Sequence, residues 1–256
     1  MKGLILCAGV GSRFGSYTHK QHKLLLTVHD VPIIDYTLRA FARSGVDDVG
    51  LITGFMADQI NAWVGDGSRY GLKVKYIFNQ DYKLGNAVSL QVSHTFTNGQ
   101  AFVLSMGDHM VSSNLLTNVI KYSANSTNNV LGVDFNLNSR SVQEATRVLV
   151  GPEQRISSIG KHIKSWNGVD TGVFWFNSEI YEVIDQWIAN DKSERYELGD
   201  ALDFYINKGG LLKSCDISNY FWHDVDNLKD LQHLRNNVDN LKDFQHLQTP
   251  VLQPNE

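Results

Sequence analysis

The stretch "CAGVGSRFGS", Cys7 to Ser16, places glycines at 9, 11 and 15 directly behind a short apolar run. Glycine permits a tight turn and lets backbone N–H groups approach phosphate oxygens. Two cations follow: Arg13 inside the loop and Lys23 shortly after it. A glycine loop flanked by two cations suits a triphosphate. A Rossmann dinucleotide loop and a plain glycine-rich turn are the competing readings. A dinucleotide loop runs straight into a helix whose N-terminus holds the pyrophosphate. Here "SYTHKQHKLLLTVHD" follows, with no clean helical stripe. The next apolar run ends in "LITGF", without the acidic residue that would hold a ribose.

A further candidate is Asp108, in "LSMGDHM". A carboxylate at the C-terminal end of a central parallel strand sits where open α/β sheets bind ligands. Mg²⁺ needs only one or two carboxylates, with phosphate oxygens completing its shell. A solvated turn aspartate is the plain alternative for a lone Gly-Asp pair.

These residues need a scaffold, and the patterning supplies one. Lys2–Ala8, Val49–Thr53, Val74–Phe78 and Ala101–Met106 read as strands. Val31–Ser44, Met56–Val64 and Ala87–His94 read as helices, the first stopping at Gly45. Strand and helix alternate, so the fold class is α/β, a Rossmann-like, mixed and mostly parallel sheet flanked by helices. The second half differs. Val130–Phe135, Arg147–Val150, Arg155–Ile159 and Gly172–Phe176 read as strands with fewer helices between them, and Ser178–Ile188 and Leu198–Asn207 as helices. No Pro-rich linker divides the chain.

The totals narrow the partners. The 256 residues are 42% hydrophobic and 20% charged, with net charge −4. No basic excess offers itself to nucleic acid or anionic lipid. No apolar run approaches the roughly 20 residues of a membrane span, and no signal peptide precedes the first strand. Two cysteines, Cys7 and Cys215, form neither a disulfide framework nor a metal spacing. A cytoplasmic location fits. Asn and Gln abound, which reads as mesophilic.

"AGVGSR" from Ala8, with "KLLLTVHDVPIIDYTL" from Lys23, resembles the sugar-nucleotidyltransferases, whose signature is a Gly-x-Gly-x-Arg loop, a lysine before a Leu-rich strand, and a Pro-initiated helix. The proline that usually precedes that lysine is His22 here. "LGNAVSL", "LSMGDHMVS", "EATRV", "ISSIGKHI", "VDTGVFWF" and "WHDVDNLKDL" follow in order. Together they are most similar to the CTP:inositol-1-phosphate cytidylyltransferases, over about residues 1–235. That branch is often fused to a membrane-bound synthase, and no such segment is seen here. Related enzymes that activate phosphocholine or a phosphonate with CTP share the pattern.

The resemblance implies a GT-A-like fold, Mg²⁺, and transfer of CMP from CTP to a small phosphorylated alcohol, inositol 1-phosphate first among them, with release of pyrophosphate. It implies that Ala8, Gly9, Gly11, Ser12 and Arg13 hold the triphosphate, that Lys23 neutralises the α-phosphate, and that Gly85 and Asn86 approach base and ribose. Lys161 matches the lysine for the incoming phosphate, with a solvated strand-end lysine as the alternative. His109, Glu144, Asp170 and Thr171 are implied substrate contacts, the carboxylates being turn residues otherwise. Asp108 is the first implied metal ligand. Asp226 is the second, with Asp224 close behind it. Trp166, Trp175 and Trp222 offer parts of a cage for a quaternary amine, or simply core aromatics. Some relatives keep the fold as regulatory subunits without turnover, and these tend to lose the loop arginine, the lysine or the carboxylates.

The terminal motif is written twice, "VDNLKDLQHLRNN" from Val225 and "VDNLKDFQHL" from Val238. Only the first copy follows a strand, "NYFWHD", so Asp239 is expected to be a bystander. A 13-residue repeat on one helix would rotate the second copy by roughly 220°. Two short helices broken at Asn236-Asn237 are expected instead. The chain then divides into a nucleotidyltransferase domain over 1–235 and a duplicated tail over 236–256, which is a candidate contact in a homo-oligomer.

Overall fold

The computed structural model describes residues 1–124, 127–136, 145–190 and 194–237. Three parallel strands form its centre: β1 (Lys2–Cys7), β4 (Asp48–Thr53) and β6 (Phe102–Met106). Their ends are level, with Cys7 opposite Thr53 and Leu6 opposite Met106. β5 (Lys73–Phe78) adds a parallel edge. Helices α1 (Ile33–Arg43) and α2 (Ala57–Val64), then the short pair α3 (Asn86–Gln91) and α4 (His94–Thr97), make the crossovers. The single helix expected over 87–94 is thus two, broken where Ser93 turns back its hydroxyl onto the Leu90 carbonyl.

The second half joins antiparallel. β11 (Gly168–Phe176) pairs β6 on one side and both β8 (Asn129–Asp134) and β9 (Arg147–Val150) on the other. β10 (Ile156–Gly160) lies beyond β9, and β12 (Leu212–Asp216) runs parallel to β8. The mixed sheet predicted from sequence is present: parallel where β and α alternate, antiparallel where they do not. Successive side chains of these strands face opposite ways, so each central strand feeds two cores. Ile5, Val49 and Val103 pack towards α1 and α5 (Ser113–Ser123). Leu4, Ile52 and Leu104 pack towards α6 (Glu179–Asn190) and α7 (Leu198–Asn207).

Two small antiparallel ribbons complete the frame. β2 (Thr27–Val28) pairs β3 (Val31–Pro32), and β7 (His109–Val111) pairs β13 (Trp222–Asp224). α8 (Leu228–Asn237) is the first copy of the repeat, with Leu231 and Leu234 buried. The second copy, from Val238, lies outside the described residues. Within them no helix is long and apolar enough to cross a membrane.

Candidate active site

A cavity of ≈ 550 Å³ opens at the level ends of β1 and β6. The glycine loop forms one end. It does not continue as an α-helix: Ser12–His19 is a 3-10 segment, kinked at Gly15. Phe14 is buried and anchors it, while the Thr18 hydroxyl donates to the Gly15 carbonyl at 3.2 Å. Gly11 has φ 66°, and a Cβ there would stand 2.9 Å from the Lys23 side chain. The loop therefore lies directly on the lysine. Of the five expected triphosphate contacts, Ala8, Gly9 and Arg13 line the cavity, and Gly11 and Ser12 form the turn behind them.

Lys23 does not precede a strand at once, as expected. It opens a 3-10 turn, Lys23–Leu25, and the strand begins at Thr27. His22 takes over the proline's place as a cap: its Nδ1 accepts from Leu24 N–H at 3.1 Å. Its own N–H donates to Gln59 Oε1 at 2.8 Å. Burial, with Lys23 beside it, pushes the imidazole down to about 4, so it is neutral. Lys23 itself is buried and forms an ion pair with Asp108.

Asp108 follows Gly107, whose N–H donates to the Leu6 carbonyl at 3.0 Å and whose Cβ, if present, would stand 2.6 Å from that oxygen. Burial alone would raise the Asp108 carboxyl. Lys23 and then His109 outweigh it and bring it down to about 2. The second acidic pair reaches the same place through the β7–β13 ribbon, where Asp224 stands opposite His109. Val225 N–H donates to the Asp108 carbonyl at 2.9 Å, which ties the terminal motif to the first carboxylate. Asp226 forms an ion pair with Arg13. A reciprocal cap fixes Asp226: Asp230 Oδ2 accepts from Asp226 N–H and Asn227 N–H, and Asn227 Oδ1 accepts from Lys229 N–H.

The three carboxylates offer hard oxygen donors. Asp224 is raised by burial and by Asp226 and Asp108, against the lowering pull of His109. A cation among them would relieve that crowding. Among the described residues no three acidic or imidazole groups stand at metal-ligand spacing. Carboxylate oxygens are the donors a hard divalent cation takes, an ion such as Mg²⁺ needing only one or two of them beside phosphate and water.

His109 and Asp170 lie deeper. The His109 Nδ1–H donates to the Thr171 carbonyl at 2.7 Å, which turns Nε2 towards Asp108 at 3.8 Å. Burial opposes the imidazolium, yet Asp108, Asp224 and Asp170 raise the group overall. Asp170 is pushed up to about 6 by burial, with Gly172 N–H and His109 pulling the other way. A register shift between β11 and β8 falls between Asp170 and Phe174, and such bulges re-aim side chains. Gly172 is required, since a Cβ there would stand 2.3 Å from His109 Nδ1. Thr171 differs from expectation. Its side chain is fully buried and its hydroxyl donates to the Gly132 carbonyl at 2.8 Å, so it faces the core, not the cavity.

Lys161 lines the cavity at the end of β10, with Thr146 nearby in the wall. Glu144 lies outside the described residues. Of the three tryptophans only Trp222 lines the cavity, its ring centroid 6.2 Å from that of His109 and its Nε1–H on Asp134 at 2.8 Å. Trp166 lies under Arg147, and no three-ring cage forms. Sequence reasoning missed Tyr82, Arg195 and Glu197, all of which line the wall. "SERYE" stands just before the helix expected over 198–207 and carries no motif that marks a site. Its place becomes visible only once α7 is packed on β10.

The Nucleotidyl transferase family model matches residues 2–240 of this chain. The glucose-1-phosphate thymidylyltransferase of Streptomyces griseus is 33% identical over 231 residues, covering 90% of this chain and 64% of that protein. The bifunctional IPC transferase and DIPP synthase of Thermococcus kodakarensis is 26% identical over 235 residues, covering 91% of this chain and 50% of that protein. The chain thus spans less than two thirds of the length of these curated relatives. Among solved structures, the inositol-1-phosphate CTP transferase of T. maritima superposes with a TM-score of 0.76 at 25% identity, covering 93% of this chain and 96% of that one. With its glycine loop, its buried Lys23–Asp108 pair and a family match over nearly its whole length, the chain belongs to the nucleotidyl transferase family.

Proposed function

We propose that the protein transfers a nucleotidyl group from a nucleoside triphosphate to a small phosphorylated alcohol and releases pyrophosphate. The carrying observation is one cavity that holds two ion pairs, Lys23–Asp108 and Arg13–Asp226, between the glycine loop and Lys161. In the step, an acceptor phosphate oxygen attacks the α-phosphorus, the bond to the β-phosphate breaks, and pyrophosphate leaves. A phosphate monoester has its second pKa near 6, so the nucleophile needs no base. His109 accordingly holds the wall and contacts the acceptor, and moves no proton. The obstacle is the meeting of two anions.

Each cation of the site addresses that obstacle. Arg13 and the backbone at Gly9 take the outer phosphates. Lys23 faces the charge that develops at the α-phosphate. Lys161 and Arg195 draw in the acceptor phosphate. Asp108 and Asp226, with Asp224 as the reserve ligand, would hold Mg²⁺, which supplies charge neutralisation across the phosphates. Asp170 and Glu144 are the proposed partners of acceptor hydroxyls.

CTP with inositol 1-phosphate is the first reading of the substrates. It is supported by the ordered motifs from "LGNAVSL" to "WHDVDNLKDL" and by the T. maritima structure. dTTP with glucose 1-phosphate is the second, favoured by the higher identity to the S. griseus enzyme. The test is pyrophosphate release with Mg²⁺ over a grid of CTP and dTTP against inositol 1-phosphate, glucose 1-phosphate, phosphocholine, 2-aminoethylphosphonate and 2-hydroxyethylphosphonate. A single strong pair assigns the substrates. Nucleotide binding with no release in any cell of the grid would turn the reading to a silent regulatory subunit.

A further inference from the structure

Asn86 stands in the cavity wall, yet its carboxamide is engaged elsewhere. Leu198 N–H donates to Asn86 Oδ1 at 2.6 Å, across 112 residues of sequence. Leu198 is the first residue of α7, and Glu197, at the N-cap position, makes no side-chain cap bond. The first N–H groups of a helix need a partner from outside it. Asn86 is that partner.

Two backbone bonds run alongside. Tyr196 N–H donates to the Leu84 carbonyl at 2.6 Å, and Ala87 N–H donates to the Tyr196 carbonyl at 3.0 Å. The fit is close: a Cβ on Gly85 would stand 2.2 Å from the Tyr196 oxygen, and φ at Gly85 is 116°. Residues 196–198 are thus strapped onto residues 84–87. The strap carries Arg195 and Glu197, which pair at 2.9 Å and line the cavity. Its far side is held as well. Asp203 Oδ1 of α7 accepts from Ile159 N–H of β10 at 3.3 Å, two residues before Lys161. A Cβ on Gly199 would meet Thr146 at an ordinary 3.6 Å.

We propose that Asn86 is a positioning residue for the acceptor: its carboxamide fixes the start of α7, and through it Arg195 and Glu197, so that a nucleotide seated against Gly85, which lines the same cavity, sets the wall of the Lys161 end. The inference rests on the nucleotidyltransferase reading above. It moves Asn86 from a nucleotide contact to a link between two sites.

The experiment compares the full chain with Asn86→Ala and Asn86→Asp. The aspartate keeps an oxygen acceptor for Leu198 N–H. CTP and dTTP with Mg²⁺ are the probes for calorimetry and for hydrogen exchange over residues 194–200. Kinetics use the nucleotide and acceptor pair that releases pyrophosphate. Nucleotide is expected to slow exchange over 194–200 in the wild type and in Asn86→Ala to leave it fast. Asn86→Ala is expected to bind nucleotide within about 2-fold of wild type and to raise the acceptor KM about 10-fold, the scale of one lost hydrogen bond, with Asn86→Asp restoring it. Nucleotide affinity falling about 10-fold with an unchanged acceptor KM would overturn the proposal. So would exchange over 194–200 that ignores nucleotide in the wild type. The exchange arm needs binding and no turnover, so it decides the inference even if the reaction reading fails in the release assay. A wild-type chain that binds neither nucleotide overturns both.

Discussion

The two ends of the cavity are built in opposite ways. The glycine-loop end comes from one stretch of chain, Ala8 to Lys23, folded onto itself so tightly that Gly11 touches Lys23. The Lys161 end is gathered from Thr146, Lys161, Asp170 and the 195–200 segment, which meet only after β9, β10, β11 and α7 have packed. On the proposed reading, the contiguous end handles the part of the substrates that every reaction of this kind shares, a triphosphate, and the gathered end faces the part that varies. A site divided this way can change its acceptor by altering scattered wall residues while the loop and the Lys23–Asp108 pair stay as they are.

Four substitutions would break or sharpen that contrast. Asp108→Asn removes the partner of Lys23 and the first of the proposed metal oxygens, and should lower kcat on the order of 10²–10³-fold. The loss should be the same for every acceptor tried, and a loss that depended on the acceptor would erase the boundary between the ends. His22→Pro tests how local the loop's support is. His22 must stay neutral when folded, with its pKa held near 4 against an ordinary 6.5. The folded chain therefore has its full stability above pH 6.5 and loses part of it as pH falls from 6.5 to 4, by about 3 kcal/mol at the lower limit. Proline accepts the φ of −60° found there. Denaturant melts at pH 7 and pH 4 should show a flattened acid limb in His22→Pro, at the cost of the Gln59 bond. An unaltered limb would move the acid sensitivity to another group.

Arg195→Ala should raise the acceptor KM about 10-fold and leave the nucleotide dissociation constant in place, read by steady-state kinetics and calorimetry. A weakened nucleotide would put Arg195 at the other end. Asp239→Asn, in the second copy of the repeat, should leave kcat and KM unchanged. A loss matching that of Asp226→Asn would give the second copy a place in the site.

Much of the contiguous end was legible because its signals are local. Glycines 9, 11 and 15, the two cations and an apolar run before them stand within one short stretch. Asp108 was legible because Gly107 ends a strand of mostly apolar residues, Phe102–Met106. The expected strand after Lys23 came out as a 3-10 turn, because three leucines in a row carry no period. Helix α5 went unread: Ser, Asn and Thr dilute its stripe, and its start is marked by Ser112, which caps Leu115 N–H through a side chain. Strand β12, "LKSCD", has too few apolar residues to announce itself, and earns its place by pairing with β8. The gathered end was half legible. Lys161 and Asp170 came from motif resemblance and line the cavity, whereas Thr171 was carried over with its neighbours although the alternation of the strand turns it inward. Arg195 and Glu197 had no local mark at all. Their signal is Asn86, a polar residue whose partner lies on another element.

The ribbon of β7 and β13 has a consequence for how the molecule comes into being. It joins His109 to Asp224, residues far apart on the chain, and long separations close late and slowly. A ribosome delivers the glycine loop, Lys23 and Asp108 early, and the first half of the sheet can form around them. Until the Trp222–Asp224 segment emerges, that half-made chain holds Asp108 beside Lys23 without the Val225 clasp or the Asp226 carboxylate. On the proposed reading, competence for chemistry thus waits for the Trp222–Asp226 segment, and a chain broken before Trp222 would be recognisable by its sequence yet inert.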